Sequence, residues 1–168
     1  MHEFTTDTIR MRIVGSAIGE LLASSSPFTE TLRDNPDPAR RRFYWDCFRR
    51  SVGEALIAAG ARCLDIDNSE LGVSFHSAPG VIGGKELILY DTAPGGAGYV
   101  RQLATHIREV FGEAERLVNS CNCGDSCYGC LRTYHNQMFH GRLNRRFVGD
   151  GIARFNSLNW VLGKGSNT

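Results

Sequence analysis

Four cysteines carry the most specific chemistry in this sequence. Cys121, Cys123, Cys127 and Cys130 fall within ten residues, spaced C-x-C-x3-C-x2-C. Soft thiolate ligands at this density suit a tetrahedral Zn²⁺ ion, and Gly124 and Gly129 let a short chain wrap it. Four protein thiolates close the coordination shell and leave no position for a reactive water. The ion would therefore hold structure and activate nothing. Its binding energy would become folding energy, which suits a loop with almost no apolar residue of its own. The alternatives are an iron–sulfur cluster, which ten residues would crowd, a pair of disulfides, or a redox C-x-x-C. Cys47 and Cys63 lie near the apolar stripe of a helix and read as small buried hydrophobes.

Two further features bear on function. Asp91-Thr92-Ala93-Pro94-Gly95-Gly96-Ala97-Gly98 joins an apolar run to a helical one. Unpaired N–H groups at Gly95, Gly96 and Gly98 would bind an anion such as phosphate. The plainer reading is a tight strand-to-helix corner that needs glycine. Neither G-x-G-x-x-G nor a Walker A motif is present. Arginines also cluster: Arg132, Arg142, Arg145, Arg146 and Arg154, with His135 and His140 among them, and separately Arg40, Arg41, Arg42, Arg49 and Arg50. Each run alone is a solvated face. Brought together in space, they would make a polyanion site that the net charge of +1 conceals. His76, Asp91 and His106 are the residues an enzyme, such as a nuclease, would use, but no carboxylate cluster or nucleophile–base pair accompanies them.

The elements that must position these groups alternate in type. Thr5 to Val14 reads as a strand, and a turn-rich stretch over 15–38 reads as an irregular excursion or a short helix. Ala39 to Arg62 repeats apolar residues at helical spacing, with Arg42, Arg49 and Arg50 mostly off the buried stripe. Leu71–His76 and Glu86–Tyr90 are strands joined as a hairpin through Pro79-Gly80 and Gly83-Gly84. The second is apolar enough to be central and covered on both faces. A helix over 98–118 leads into the cysteines. Helices over 131–139 and 143–159 follow, and Gly163–Thr168 frays. The fold class is thus α/β (α+β): a small central sheet of about three or more strands packed with amphipathic helices, a four-cysteine zinc loop at 121–130, and C-terminal helices.

A length of 168 residues with 42% hydrophobic and 22% charged residues fits one globular domain over 1–168. No run approaches a membrane span, and Met1-His2-Glu3-Phe4 does not open a signal peptide. Six cysteines in an unexported chain argue for reduced thiols, and a cytoplasmic location is expected.

The string Leu89-Tyr90-Asp91-Thr92-Ala93-Pro94-Gly95-Gly96-Ala97-Gly98-Tyr99, the four cysteines, and Cys130-Leu131-Arg132-Thr133-Tyr134-His135-Asn136-Gln137 with His140, Leu143 and Arg145 resemble the MrfA-like zinc-binding domain family. Thr6-Asp7-Thr8-Ile9 is similar to the family's opening strand, so the resemblance runs from about residue 4 to 159. Such domains usually end large DEAD/DEAH-type helicases of bacterial DNA repair and of anti-phage systems such as DISARM. The resemblance implies zinc on Cys121, Cys123, Cys127 and Cys130, and a non-catalytic accessory domain that helps a helicase engage single-stranded DNA. The chain lacks Walker motifs, so it would be a subunit beside a helicase or a fragment of one. Arg132, His135, Arg142, Arg145 and Arg146 would contact phosphates, and Tyr128, Tyr134 and Phe139 would stack on bases. The alternative is a pure protein-interaction module that docks on a helicase through helix 39–62 without touching DNA.

Overall fold

The structure, a computed structural model, describes residues 5–12, 21–78, 85–156 and 160–166. Four antiparallel strands form one sheet in the order β2-β3-β1-β4, where β1 is Thr5–Met11, β2 Leu71–Ser77, β3 Lys85–Asp91 and β4 Trp160–Ser166. The central position expected for Glu86–Tyr90 holds: Glu86, Leu87, Ile88 and Leu89 are all buried. Leu87 and Leu89 join Ile9 and Met11 in the main hydrophobic cluster with the helices. By alternation Glu86 and Ile88 face the other way. There Glu86 accepts a hydrogen bond from Arg10 at 3.2 Å and another from Arg12, so a buried carboxylate is neutralised across the strands.

The helices are α1 Pro27–Asp34, α2 Pro38–Leu64, α3 Tyr99–Thr105, α4 Ile107–Asn119 and α5 Arg145–Asn156. Short α1 begins at a reciprocal capping box between Ser26 and Thr29, and Phe28 drives it into the core against Phe48 and Phe147. The 27-residue α2 starts at the Asp37 cap and ends at Asp65, in the left-handed region at φ 54°. From Cys47 to Ala61 every residue of α2 except Arg50 is buried, including Arg49 and Glu54. The expected solvated arginine face is therefore absent at Arg49. The helix is wrapped by β2, α4, α5 and the segment 137–142, and Gly53, Ala55, Ala59 and Gly60 let these neighbours approach closely. Cys47 is buried as expected, whereas Cys63, near the helix end, is exposed.

Three expected elements differ. The helix over 98–118 breaks at His106, where Thr105 turns its hydroxyl back to the Gln102 carbonyl and the backbone leaves the helical region. Leu131–Phe139 forms turns followed by a 3-10 helix, Gln137–Arg142, because Asn136 and Thr133 bond each other's backbone N–H groups in place of a helical ladder. Residues 163–166 do not fray. They complete β4, which pairs with β1 from Met11↔Trp160 to Thr5↔Ser166. The expected strand residues 13–14, the hairpin turn 79–84, helix residues 157–159 and the terminal pair 167–168 lie outside the described residues.

Candidate metal centre and nucleic-acid interface

Helix α4 ends at Ser120, and the chain passes straight into the cysteine loop. The four Sγ atoms lie within 4.8 Å of one another. Cys121–Cys127 are 3.5 Å apart, Cys123–Cys130 3.7 Å and Cys127–Cys130 3.8 Å. A tetrahedron with Zn–S bonds of about 2.3 Å has edges of roughly 3.8 Å, so the thiols stand where zinc would hold them. All four are free thiols, which sets aside the disulfide alternative. The Cys123 backbone N–H and the neighbouring thiols draw Cys121 down to about 7. Burial and the same neighbours push Cys123 up to about 12. Four sulfurs this close cannot all ionise unless a cation stands among them, which is the requirement a divalent metal meets.

The loop is tied to the core by its own backbone and by arginines. The Cys127 carbonyl accepts from the N–H groups of Cys130, Leu131 and Arg132, so the fourth ligand sits in a tight turn. Leu131, 1% exposed, plugs that turn into the main cluster with Leu143 and Phe147. Arg145 donates from Nε to the Cys123 carbonyl at 2.8 Å and from Nη1 to the Val118 carbonyl at 3.1 Å, bridging the end of α4 to the loop. Its backbone N–H bonds the Asp125 carbonyl at 2.7 Å. Arg132 donates from Nε to Ser126 Oγ at 2.9 Å. Two expected phosphate ligands, Arg145 and Arg132, are thus engaged in holding the metal loop, and their positive charge lies beside a site that would carry net negative charge with zinc bound.

Of the other expected contacts, His135, Arg142 and Arg146 are exposed. The two basic runs do converge, through Arg49 and Arg50 of one and Arg142 of the other, joined by Lys85, which the sequence did not single out. Arg49 and Arg50 of α2, Arg142 and Lys85 of β3 line one cleft of about 120 Å³, with Phe75 and a single carboxylate, Asp46. Arg49 pairs with Asp46 at 2.6 Å. Arg50 lies between two rings, its guanidinium carbon 3.8 Å from the Phe139 centroid and 4.8 Å from that of Phe75. Lys85 and Arg142 make no carboxylate pair among the described residues. Phe139 is therefore held by Arg50 and half-buried, while Tyr128 and Tyr134 are 67% and 78% exposed.

The glycine corner does not offer an anion site. Buried Asp91 accepts from the N–H of Gly98 at 2.8 Å and of Val100 at 2.9 Å, so the chain's own carboxylate fills the start of α3. Gly95, Gly96 and Gly98 all have φ between 75° and 81°, and a Cβ at Gly96 would crowd Thr6 and Asp91. The motif serves chain reversal. Nor do the enzyme-reading residues assemble. Asp91 holds the corner, His76 is exposed on β2 beside Ser74, and His106 sits at the α3–α4 break beside Glu109. No described helix is long and apolar enough to cross a membrane.

Comparison with known proteins places this geometry. Residues 52–131, which include all four cysteines, match the family model of the MrfA Zn-binding domain. The Druantia protein DruE of Escherichia coli (strain UMEA 4076-1) is 32% identical over 160 residues, covering 92% of this chain. Among solved structures, the crystal structure of DUF1998 helicase MrfA bound to DNA matches 71% of this chain with a TM-score of 0.53 at 18% identity, a likeness of fold. The chain spans only 8% of the length of DruE and 15% of that MrfA chain.

Proposed function

We propose, from the match of residues 52–131 to the MrfA Zn-binding domain model, that this chain is a non-catalytic accessory domain of a DEAD/DEAH-type helicase, one domain over 1–168 organised by its zinc loop. In this role it engages single-stranded DNA in bacterial repair or anti-phage defence, in the cytoplasm. The observation that supports DNA engagement is the cleft where Arg49, Arg50, Lys85 and Arg142 meet a single carboxylate. Side chains from two helical segments and a strand converge there, which scattered solvated arginines do not do. Such a cleft attracts a phosphate backbone without choosing a sequence. MrfA, whose fold this chain shares in part, is a helicase crystallised bound to DNA, which fits this reading.

The test is equilibrium binding of zinc-loaded protein to short single strands at varied salt. Lys85→Ala with Arg142→Ala should weaken all sequences alike and flatten the salt dependence by up to about 1.4 in log–log slope, two phosphates' worth at roughly 0.7 each. Arg146→Ala, at an exposed residue of the first turn of α5, belongs to the same test. A folded, zinc-loaded protein that binds no strand at low salt, alone or with its helicase, sinks the DNA reading. That result would favour the interaction module. Its docking surface would not be helix 39–62, whose centre is buried within this chain, but Tyr128, Tyr134 and Met138, the last 82% exposed.

A further inference from the structure

A second and larger cavity shares a wall with the basic cleft. It measures about 250 Å³ and lies between the middle of α2, the start of β2 and the turn 133–139. Arg50 lines both cavities. That volume is below the roughly 300 Å³ at which sites for drug-sized ligands begin, so it suits one heterocycle better than a peptide. Its walls are of two kinds. Ile57, Leu71, Val73, Phe139 and Tyr90 supply apolar and aromatic surface. The Tyr90 ring lies close against Gly72, where a Cβ would stand 2.5 Å from Tyr90 Cζ, so only glycine leaves the ring in this place.

Several polar groups also line the cavity, Ser69, Thr92, His135 and Asn136 among them, and its one carboxylate is Glu54, 8% exposed. Its Oε2 accepts from Asn136 Nδ2 at 2.8 Å. Its Oε1 lies 3.7 Å from Arg50 Nη1, an ion pair too long for a hydrogen bond. A carboxylate can accept about four hydrogen bonds, and this one accepts a single bond at hydrogen-bond distance. Asn136 cannot turn away, since it also donates to the Leu131 carbonyl at 2.9 Å and accepts from the Thr133 N–H at 2.8 Å. Burial pushes the Glu54 carboxyl above its ordinary range, against the opposing pull of Asn136 and Arg50.

We propose that this cavity takes one base of the bound single strand, stacked against its aromatic wall, with the base's exocyclic amino group donating to Glu54. The inference rests on the DNA reading above. The adjoining cleft holds the backbone phosphate and Arg50 stands between the two. Cytosine and adenine carry an amino donor on the pairing edge, and thymine presents only a carbonyl at that position. The pocket therefore discriminates against thymine, and an otherwise sequence-blind contact acquires a bias.

The experiment compares zinc-loaded full chain on oligo(dC), oligo(dT) and an abasic strand of equal length at low salt. The expected result is about tenfold tighter binding of oligo(dC) than of the other two, the size of one hydrogen bond to a charged group. Glu54→Gln keeps an acceptor for Asn136, and it should remove the preference without weakening oligo(dT). Should that variant fail to fold, wild-type protein decides the matter with a single 2-aminopurine placed in oligo(dT). Its fluorescence must be shielded from acrylamide, and full quencher access would overturn the proposal. Equal binding of all three strands, or a preference that survives in folded Glu54→Gln, overturns the base pocket and leaves the phosphate cleft standing. Failure of every strand to bind overturns both. Binding of free dCMP through Glu54 without any preference among strands would make the cavity a nucleotide site separate from the strand, and would also refute the proposal.

Discussion

Removing the Arg145 guanidinium should destabilise the domain, although the position reads from sequence as a surface DNA contact. Arg145→Ala deletes two charge-assisted hydrogen bonds, to the carbonyls of Cys123 at 2.8 Å and Val118 at 3.1 Å. Bonds of this type contribute about 1.5–3 kcal/mol each when well buried. Arg145 is half-buried, and water can partly replace it at both carbonyls, so a combined loss of about 2–3 kcal/mol is the expectation. For a chain of this length that corresponds to a fall in Tm of about 4–12 °C. Because Cys123 is a metal ligand, zinc affinity should also drop by about 10- to 100-fold, the usual effect of losing a group that orients a ligand. Arg145→Lys keeps the charge but can reach only one carbonyl well, and should fall between. Arg146→Ala, exposed one residue away, should stay within about 0.5 kcal/mol of wild type. Urea denaturation of zinc-loaded protein measures the stabilities, and competition with a chromogenic chelator measures the affinity. If Arg145→Ala and Arg146→Ala proved equally stable and equally tight for zinc, the clamp would be refuted.

Elemental analysis of protein purified without added metal should find about one zinc per chain. Cys127→Ser should lower that occupancy and expose the 121–131 amides to hydrogen exchange, and iron with a visible absorption band would refute the assignment. Asp91→Ala strands the N–H groups of Gly98 and Val100 and should cost about 2–4 kcal/mol in denaturation; a loss under about 1 kcal/mol would mean the corner does not depend on this carboxylate. The Glu54 carboxyl is raised in the folded state from 4.5, first by burial, so the fold prefers it protonated. Its contribution is fully present below pH 4.5 and is lost as pH rises through the folded value. Glu54→Gln should therefore gain stability relative to wild type as pH climbs from 4 to 7, and a constant or falling difference would contradict the assigned burial.

The sequence by itself determined the features that depend on residue type and short spacing. Four thiols in ten residues, with glycines between them, lie close enough in sequence for one tight loop to gather them, and the Sγ cluster is where that spacing pointed. The β-branched and apolar runs at 5–14, 71–76 and 86–90 announced the strands β1, β2 and β3, and the unbroken Leu87-Ile88-Leu89 announced the central one. Glycine at 95, 96 and 98 signalled a corner, since few other residues tolerate φ near +80°. Long-range arrangement decided the rest. Trp160–Ser166 begins with strand formers, but Gly163, Lys164 and Gly165 weaken its second half, which is ordered as a strand by its pairing with β1. Arg49 and Arg145 look alike as letters in basic runs. One is buried on a helix packed on several sides and the other clamps a metal loop, and neither position is visible without the neighbouring elements. The cleft joining Arg49, Arg50, Lys85 and Arg142, and the cavity behind Glu54, unite residues as many as 93 positions apart. Local periodicity carries no record of such meetings, because only packing of the sheet against α2 and the turn after the zinc loop brings them together.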